Sequence, residues 1–433
     1  MSKRFWLLGL VGLMLVAFLV ACGSKYDSST NGLVVVGSQG SGLLETFSFT
    51  LNNGHISAIT NTPNDTATQT CVLNGLPSSI VIDPAGTYAY AILNASSLCP
   101  GSQTGILAFK INSDGTLTAS GNLVADPNPV ALFMDSAGKF LFVAEGTNST
   151  PMSPNPMPCP QTTAQYGVCV YAIGSGAALT GVQGNYSFPV PAMNPNIVAV
   201  AASPTVFPGI GINGVQNAVC SAPGNNAPTA EYLYAVDSVN YVVWEFSVDT
   251  STGALGNPVG ASQANVVPTD QVPLGVAVDP CNRFAYVSDS LTNKVSAYTI
   301  CSKVNLPTCP VADGSLLPVP GSPFALSGSA NGPGPLVVDP FGNNVYIVGT
   351  LSNTLSAFKI SPVSGTLTPL SVPTVATGLR PTSIAIRGDD NWMFVSNFNS
   401  QTVSQYSITP ATGALTAEQP IGTDNSPWGV AVK

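Results

Sequence analysis

Apolar strings of four or five residues recur along this chain, each closed by turn residues long before it reaches helical length. Seven of them read "SIVID" (79–83), "ALFMD" (131–135), "IVAVA" (197–201), "GVAVD" (275–279), "LVVD" (336–339), "SIAIR" (383–387) and "GVAVK" (429–433). A second set favours aromatic and β-branched residues in alternation: "LVVVG" (33–37), "YAYAI" (88–92), "FLFVA" (140–144), "YLYAV" (232–236), "FAYVS" (284–288), "VYIVG" (345–349) and "WMFVS" (392–396). Period two predicts strands, because successive side chains leave a pleated backbone on opposite faces. A third signal is a glycine placed before a Leu or Ile, at Gly54, Gly115, Gly176, Gly253, Gly314, Gly365 and Gly413. Glycine supplies the positive φ that a tight hairpin needs. Between the first and second strings stand "DPAG" (83–86), "DSAG" (135–138), "DPCN" (279–282) and "DPFG" (339–342), which are turn sequences.

The repeating unit is therefore strand A, tight turn, strand B, loop, strand C, glycine hairpin, strand D. Seven such units predict an all-β fold, a seven-bladed β-propeller with four antiparallel strands per blade. The pattern begins on a B strand and finishes on an A strand. The C-terminal strand is thus expected to complete the first blade, which removes the unpaired inner edge. An open β-solenoid or a pair of sandwiches are the other architectures, and neither explains the split unit. Insertions fall at 146–167 in blade 3, 203–230 in blade 4 and 301–314 in blade 5.

Three copies of the unit, "YVSDSLTNKVSAYTI" (286–300), "YIVGTLSNTLSAFKI" (346–360) and "FVSNFNSQTVSQYSI" (394–408), resemble the YVTN-type repeat. With the "DPxG" and "TGxLT" cadence, residues 33–433 resemble the lactonase family of seven-bladed propellers named after 6-phosphogluconolactonase. The resemblance implies hydrolysis of a lactone by His, Glu and Arg on the face that bears the D–A and B–C loops. The sole histidine, His55, falls in a C–D hairpin and so on the opposite face. The usual base for activating water is missing from that face. No G-x-S-x-G nucleophile turn and no Ser–His–Asp set is present either.

Charge narrows the partners. Of 433 residues only 8% are charged, and the net charge is −9. That leaves no basic face for nucleic acid. Beyond the N-terminus no apolar run is long enough to span a bilayer. The N-terminus itself joins Lys3 and Arg4 to an apolar run, Phe5 to Val20, and then small residues, which reads as a signal peptide over 1–21. Leu19-Val20-Ala21-Cys22 resembles a bacterial lipobox, so Cys22 is expected to be acylated, with 22–32 as a flexible tether. The chain is then an exported lipoprotein held on the periplasmic or cell-surface side of the envelope by its lipid. The remaining eight cysteines suit an oxidising compartment. Loop placement on the two faces predicts the bridges Cys71–Cys99, Cys159–Cys169, Cys220–Cys281 and Cys301–Cys309. No spacing suggests zinc.

The strand-B ends are Ser38, Leu93, Glu145, Asp237, Asp289, Gly349 and Asn397, and a closed ring aims them at one mouth. Glu145, Asp237 and Asp289 lie in consecutive blades, with Asp126 and Asp270 in nearby D–A loops. Such an acidic arc suits a calcium ion or a basic group on a ligand. It also suits a carboxyl of raised pKa acting as acid or base. The plainer reading is that Asp and Asn close a strand by bonding loop backbone. Arg380, in the loop leading to blade 7, is the one basic residue near the mouth; a plain surface role is the first reading, and orienting an anionic ligand the second. "GDDN" (388–391) occupies an A–B turn slot and reads as turn chemistry rather than a metal site. No cofactor is called for. These residues favour an envelope scaffold that binds a small molecule or protein, with a lactone hydrolase or a structural envelope component as alternatives.

Overall fold

Alternation in the strand-B strings has a direct structural cause. In blade 1, Val34 and Val36 pack against Trp392 and Phe394 of blade 7, while Leu33 and Val35 pack against Ile80 and Ala89 of blade 2. Both faces of a blade are buried, each against a different neighbour. Seven apolar clusters result, one for each pair of adjacent blades, and they carry the burial that drives folding. The computed structural model describes residues 31–59, 73–97, 99–126, 128–146, 167–182, 195–204, 231–256, 266–302, 309 and 313–433. The signal peptide, Cys22 and most of the tether lie outside the described residues.

Strands A to D of blade 1 are Pro427–Val432, Asn31–Ser38, Leu43–Thr50 and Ile56–Ala58. Those of blade 2 are Leu76–Ile82, Tyr88–Asn94, Gly105–Ile111 and Leu117–Ala125. Blade 3 has Pro129–Met134, Phe140–Glu145, Gly167–Ile173 and Leu179–Gly181. Blade 4 has Ile197–Ala202, Glu231–Asp237, Val242–Val248 and an outer strand in two pieces, Leu255–Gly256 and Val266–Pro268. Blade 5 has Pro273–Val278, Phe284–Asp289, Lys294–Ile300, and the pieces Leu316–Pro318 and Phe324–Ala325. Blade 6 has Pro333–Val338, Asn344–Gly349, Thr354–Ile360 and Leu367–Ala376. Blade 7 has Pro381–Ile386, Trp392–Asn397, Thr402–Thr409, and the pieces Ala414–Ala417 and Ile421–Gly422.

The ring closes as the split unit requires. Strand B of blade 1 pairs antiparallel with the C-terminal strand, Val34 opposite Val432 and Val36 opposite Val430. Leu33 and Lys433 exchange backbone hydrogen bonds of 3.2 and 2.9 Å at its end. Each A strand packs against the A strands of both neighbouring blades, so the seven surround the axis.

The tyrosine and glycine of the repeat are interblade fasteners. The hydroxyls of Tyr234, Tyr286 and Tyr346 donate to the carbonyls of Gly314, Gly365 and Gly413 in the next blade, at 2.8, 3.0 and 2.9 Å. Each of these glycines turns its bare Cα toward the first aromatic or amide of the preceding B strand: Tyr232, Phe284 or Asn344. The positions that carry the family resemblance therefore hold the ring together.

Cys301 and Cys309 are joined, their Cα atoms 5.3 Å apart. Cys99, Cys169 and Cys281 are also disulfide-bonded. Their expected partners Cys71, Cys159 and Cys220 lie outside the described residues.

Candidate functional site

All seven strand-B ends sit at one level of the ring, each facing the start of its own A strand. Ser38, Leu93, Glu145, Asp289, Gly349 and Asn397 lie opposite Pro427, Pro77, Pro129, Pro273, Pro333 and Pro381, and Asp237 lies opposite Ile197. The sequence placed them correctly along the strand. It did not place them correctly relative to solvent. Asp237, Asp289 and Asn397 are completely buried and Glu145 is nearly so. The open acidic arc expected from the sequence is replaced by three separate, covered groups.

In blade 4, Asp237 accepts hydrogen bonds from the backbone N–H groups of Asn196, Val239 and Asn240. It also accepts from the Asn240 amide at 2.7 Å and the Trp244 indole at 3.3 Å. With its lone pairs taken, Asp237 closes the B–C turn and has no capacity left for a ligand.

In blade 5, Asp289 accepts a 2.7 Å bond from Ser296, while its other oxygen has no partner. Burial, set against that bond, pushes its pKa up to about 7. Asp270 lies close enough to add to the shift, but is itself paired with Lys294 at 2.9 Å near the surface. In blade 7, the Asn397 amide donates to Thr402 and Ser404, at 3.1 and 3.0 Å. It occupies the level of Asp289 without its charge.

Blade 3 holds a carboxyl pair. Asp126 and Glu145 offer oxygens within 4.8 Å of each other and of the Cys169 sulfur. Cys169 is committed to a disulfide and presents no thiolate, so this trio is not a metal centre of the sulfur-ligand kind. Tyr171 donates to Asp126 at 2.8 Å, and one oxygen of Glu145 has no partner. Burial, with Asp126 adding to it, holds Glu145 well above the ordinary carboxyl range. Asp126 accepts from Tyr171, and its carboxyl is likewise raised by burial.

Arg380 is the exposed member of the face. Its backbone is left-handed, φ 52°, and its N–H donates to Asn353 at 2.7 Å. The guanidinium lies 4.7 Å above the ring of Phe398, which meets Trp428 edge-on at 5.4 Å. The sequence points to the arginine but not to Phe398 beneath it or to Trp428 beside that ring. Trp428 differs from its counterparts Val130, Leu274 and Thr382 in other A strands, which is the only signal available. Exposed Val130, Tyr241, Leu274, Leu291, Leu351 and Leu379 give the same face an apolar rim. His55 is exposed in its hairpin on the opposite face.

Residues 225–428 match the family model described as "Lactonase, 7-bladed beta-propeller". A crystal structure of a putative 6-phosphogluconolactonase from Bacteroides fragilis is similar at 17% identity and TM-score 0.63, covering 94% of this chain and 99% of that one. The periplasmic gluconolactonase of Pseudomonas aeruginosa is similar at 18% identity and TM-score 0.64, covering 93% and 99%. No curated protein matches the sequence. The family model and these structures support a lactonase-like propeller, and at such identities the structures speak for the fold alone.

Proposed function

We propose that this chain hydrolyses a lactone or sugar-derived ester at the face formed by its D–A and B–C loops. The match to the lactonase model carries the reading, since residues 225–428 include Asp289, Arg380 and Asn397. In the reaction, water oxygen bonds to the acyl carbon, the ring C–O bond breaks, and a proton reaches the departing ring oxygen. Arg380 over Phe398, beside Trp428, offers a cation for an anionic substrate group or the developing oxyanion, and aromatic surface for a sugar ring. Asp289 is assigned as the proton carrier, because a carboxyl held near neutrality transfers protons efficiently. The Asp126–Glu145 pair, raised by burial, is assigned as a second one. Asp237 is left to the turn.

The test is turnover of a panel of aldonolactones, free and phosphorylated, by the purified chain. Glu145→Gln or Asp289→Asn is expected to lower kcat roughly 100-fold or more, and Arg380→Ala to raise KM. Absence of turnover by the unaltered chain, or indifference to all three substitutions, defeats the reading. The second reading, a binding scaffold, rests on the apolar rim and on the sealing of every strand-B acid. Export and anchoring through Cys22 belong to either version. Fatty-acid labelling of the chain in cells, lost in Cys22→Ala, is expected; labelling that survives the substitution removes the anchor.

A further inference from the structure

The A–B turns of blades 5, 6 and 7 are copies of one device, and aligning them exposes a reversal of charge. In blade 5, Asp279 opens the turn and is fully buried. Arg283 folds back onto it through Nε at 2.7 Å and Nη2 at 2.9 Å, and Nη2 also donates to the carbonyl of Gly342 at 2.9 Å. Gly342 is the left-handed residue of the next blade's turn. A Cβ there would stand 2.2 Å from Oδ1 of Asp279 and 2.6 Å from Nη2 of Arg283. The left-handed residue of one blade thus abuts the acid of the blade before it, with a cation between them. Blades 1 and 2 vary the theme: Lys433 stands in the slot of the acid, and its Nζ donates to the carbonyl of Gly86 at 2.7 Å.

Between blades 6 and 7 the cation is gone. Asp339 corresponds to Asp279, Asn343 to Arg283, and Asp390 to Gly342, with φ 57° against 68°. A second carboxylate stands where the turns of blades 2, 3 and 6 keep a bare Cα, at Gly86, Gly138 and Gly342, and where blade 5 has the uncharged Asn282. Asp390 is completely buried, and neither of its oxygens has a hydrogen-bond partner. Asp339 accepts from the N–H groups of Phe341 and Asn343 at Oδ1 and from the Asn344 amide at Oδ2. Arg387 is occupied by Asp389 and the carbonyl of Lys433.

We propose that Asp390 and Asp339, with Asn343 beside them, form a binding site for a divalent cation of the calcium class at the seam of blades 6 and 7. The ion takes the role that the Arg283 guanidinium plays one seam earlier. A buried carboxylate with no donor must hold a proton or a cation. Its proton affinity shows the strain: burial, with Asp339 and Asp389 adding to it, raises the Asp390 pKa to about 8. Hard oxygen ligands at an irregular seam suit calcium, which accepts irregular coordination completed by water, over magnesium, which demands a near-ideal octahedron.

Thermal unfolding of the chelator-stripped full chain, with and without calcium chloride, tests this. At a hundredfold excess over Kd the midpoint is expected to rise by roughly 3–5 °C. Asp390→Gly, which restores the residue of the preceding turn, is expected to fold and to lose the calcium response. Calorimetric titration with calcium is expected to show one site in the unaltered chain and none in the variant. Equal responses from both proteins overturn the proposal. So does a proton in place of the ion. In that case calcium has no effect, and stability falls as pH rises toward and through about 8, because the folded carboxyl holds a proton that the unfolded one releases. The other groups felt there are Asp339, Asp389 and Tyr346.

Discussion

Arg283→Met is expected to destabilise the propeller by about 3–5 kcal/mol, because it strands the fully buried Asp279 carboxylate without its counter-ion. The side chain also bridges two blades. Its Nη2 satisfies the carbonyl of Gly342, and its Nη1 reaches the carbonyl of Pro362 at 3.5 Å, both in blade 6 or its hairpin. Methionine fills a similar volume but donates nothing, so these acceptors lose their partner as well. Adding Asp279→Asn removes the uncompensated charge and is expected to recover part of the loss. Urea unfolding of the single and double variants measures both. A single variant within 1 kcal/mol of the parent would mean that water replaces the guanidinium at this seam.

Gly365→Ala is expected to cost about 2–4 kcal/mol, and the cost has two separable parts. The residue has φ +72°, a left-handed conformation that costs a side-chain-bearing residue about 1–2 kcal/mol. Its Cβ would also stand 2.5 Å from Cδ1 of Phe284, a ring buried at the seam of blades 5 and 6. Gly121→Ala isolates the first part, since Gly121 has φ +79° and nothing within 4 Å of its Cβ position. The difference between the two variants then reports the displacement of Phe284. Equal effects would show that the hairpin moves off the ring without strain.

The architecture was legible because its physics is local. Strings such as "FAYVS" and "VYIVG" alternate because each B strand packs against two neighbours, and the glycine before Leu367 marks a hairpin that needs positive φ. The split unit announced its own closure. Much of the face was not legible, because solvent access depends on what covers a strand end. Nothing near Asp237 in sequence says that Trp244 and Asn196 will consume its oxygens. Arg380 is conspicuous as an isolated cation, yet Phe398 meets it only once the loops of blade 7 fold together, and Trp428 meets Phe398 only after blade 1 has packed alongside. "GDDN" reads correctly as a turn, and Asp390 does adopt the left-handed position. Its unusual environment comes from the neighbouring blade, where Asn343 stands in the slot that Arg283 fills in blade 5.

The seven strand-B ends share a face only because head and tail share one sheet. Hydrogen–deuterium exchange across the C-terminal segment 427–433 in the intact native chain reads that pairing directly. The amides that bond to strand B of blade 1 are expected to exchange as slowly as those of Val345–Val348 in the centre of blade 6. Exchange at the rate of an unstructured peptide would mean that the ring stands open and that the seven strand-B ends share no common level.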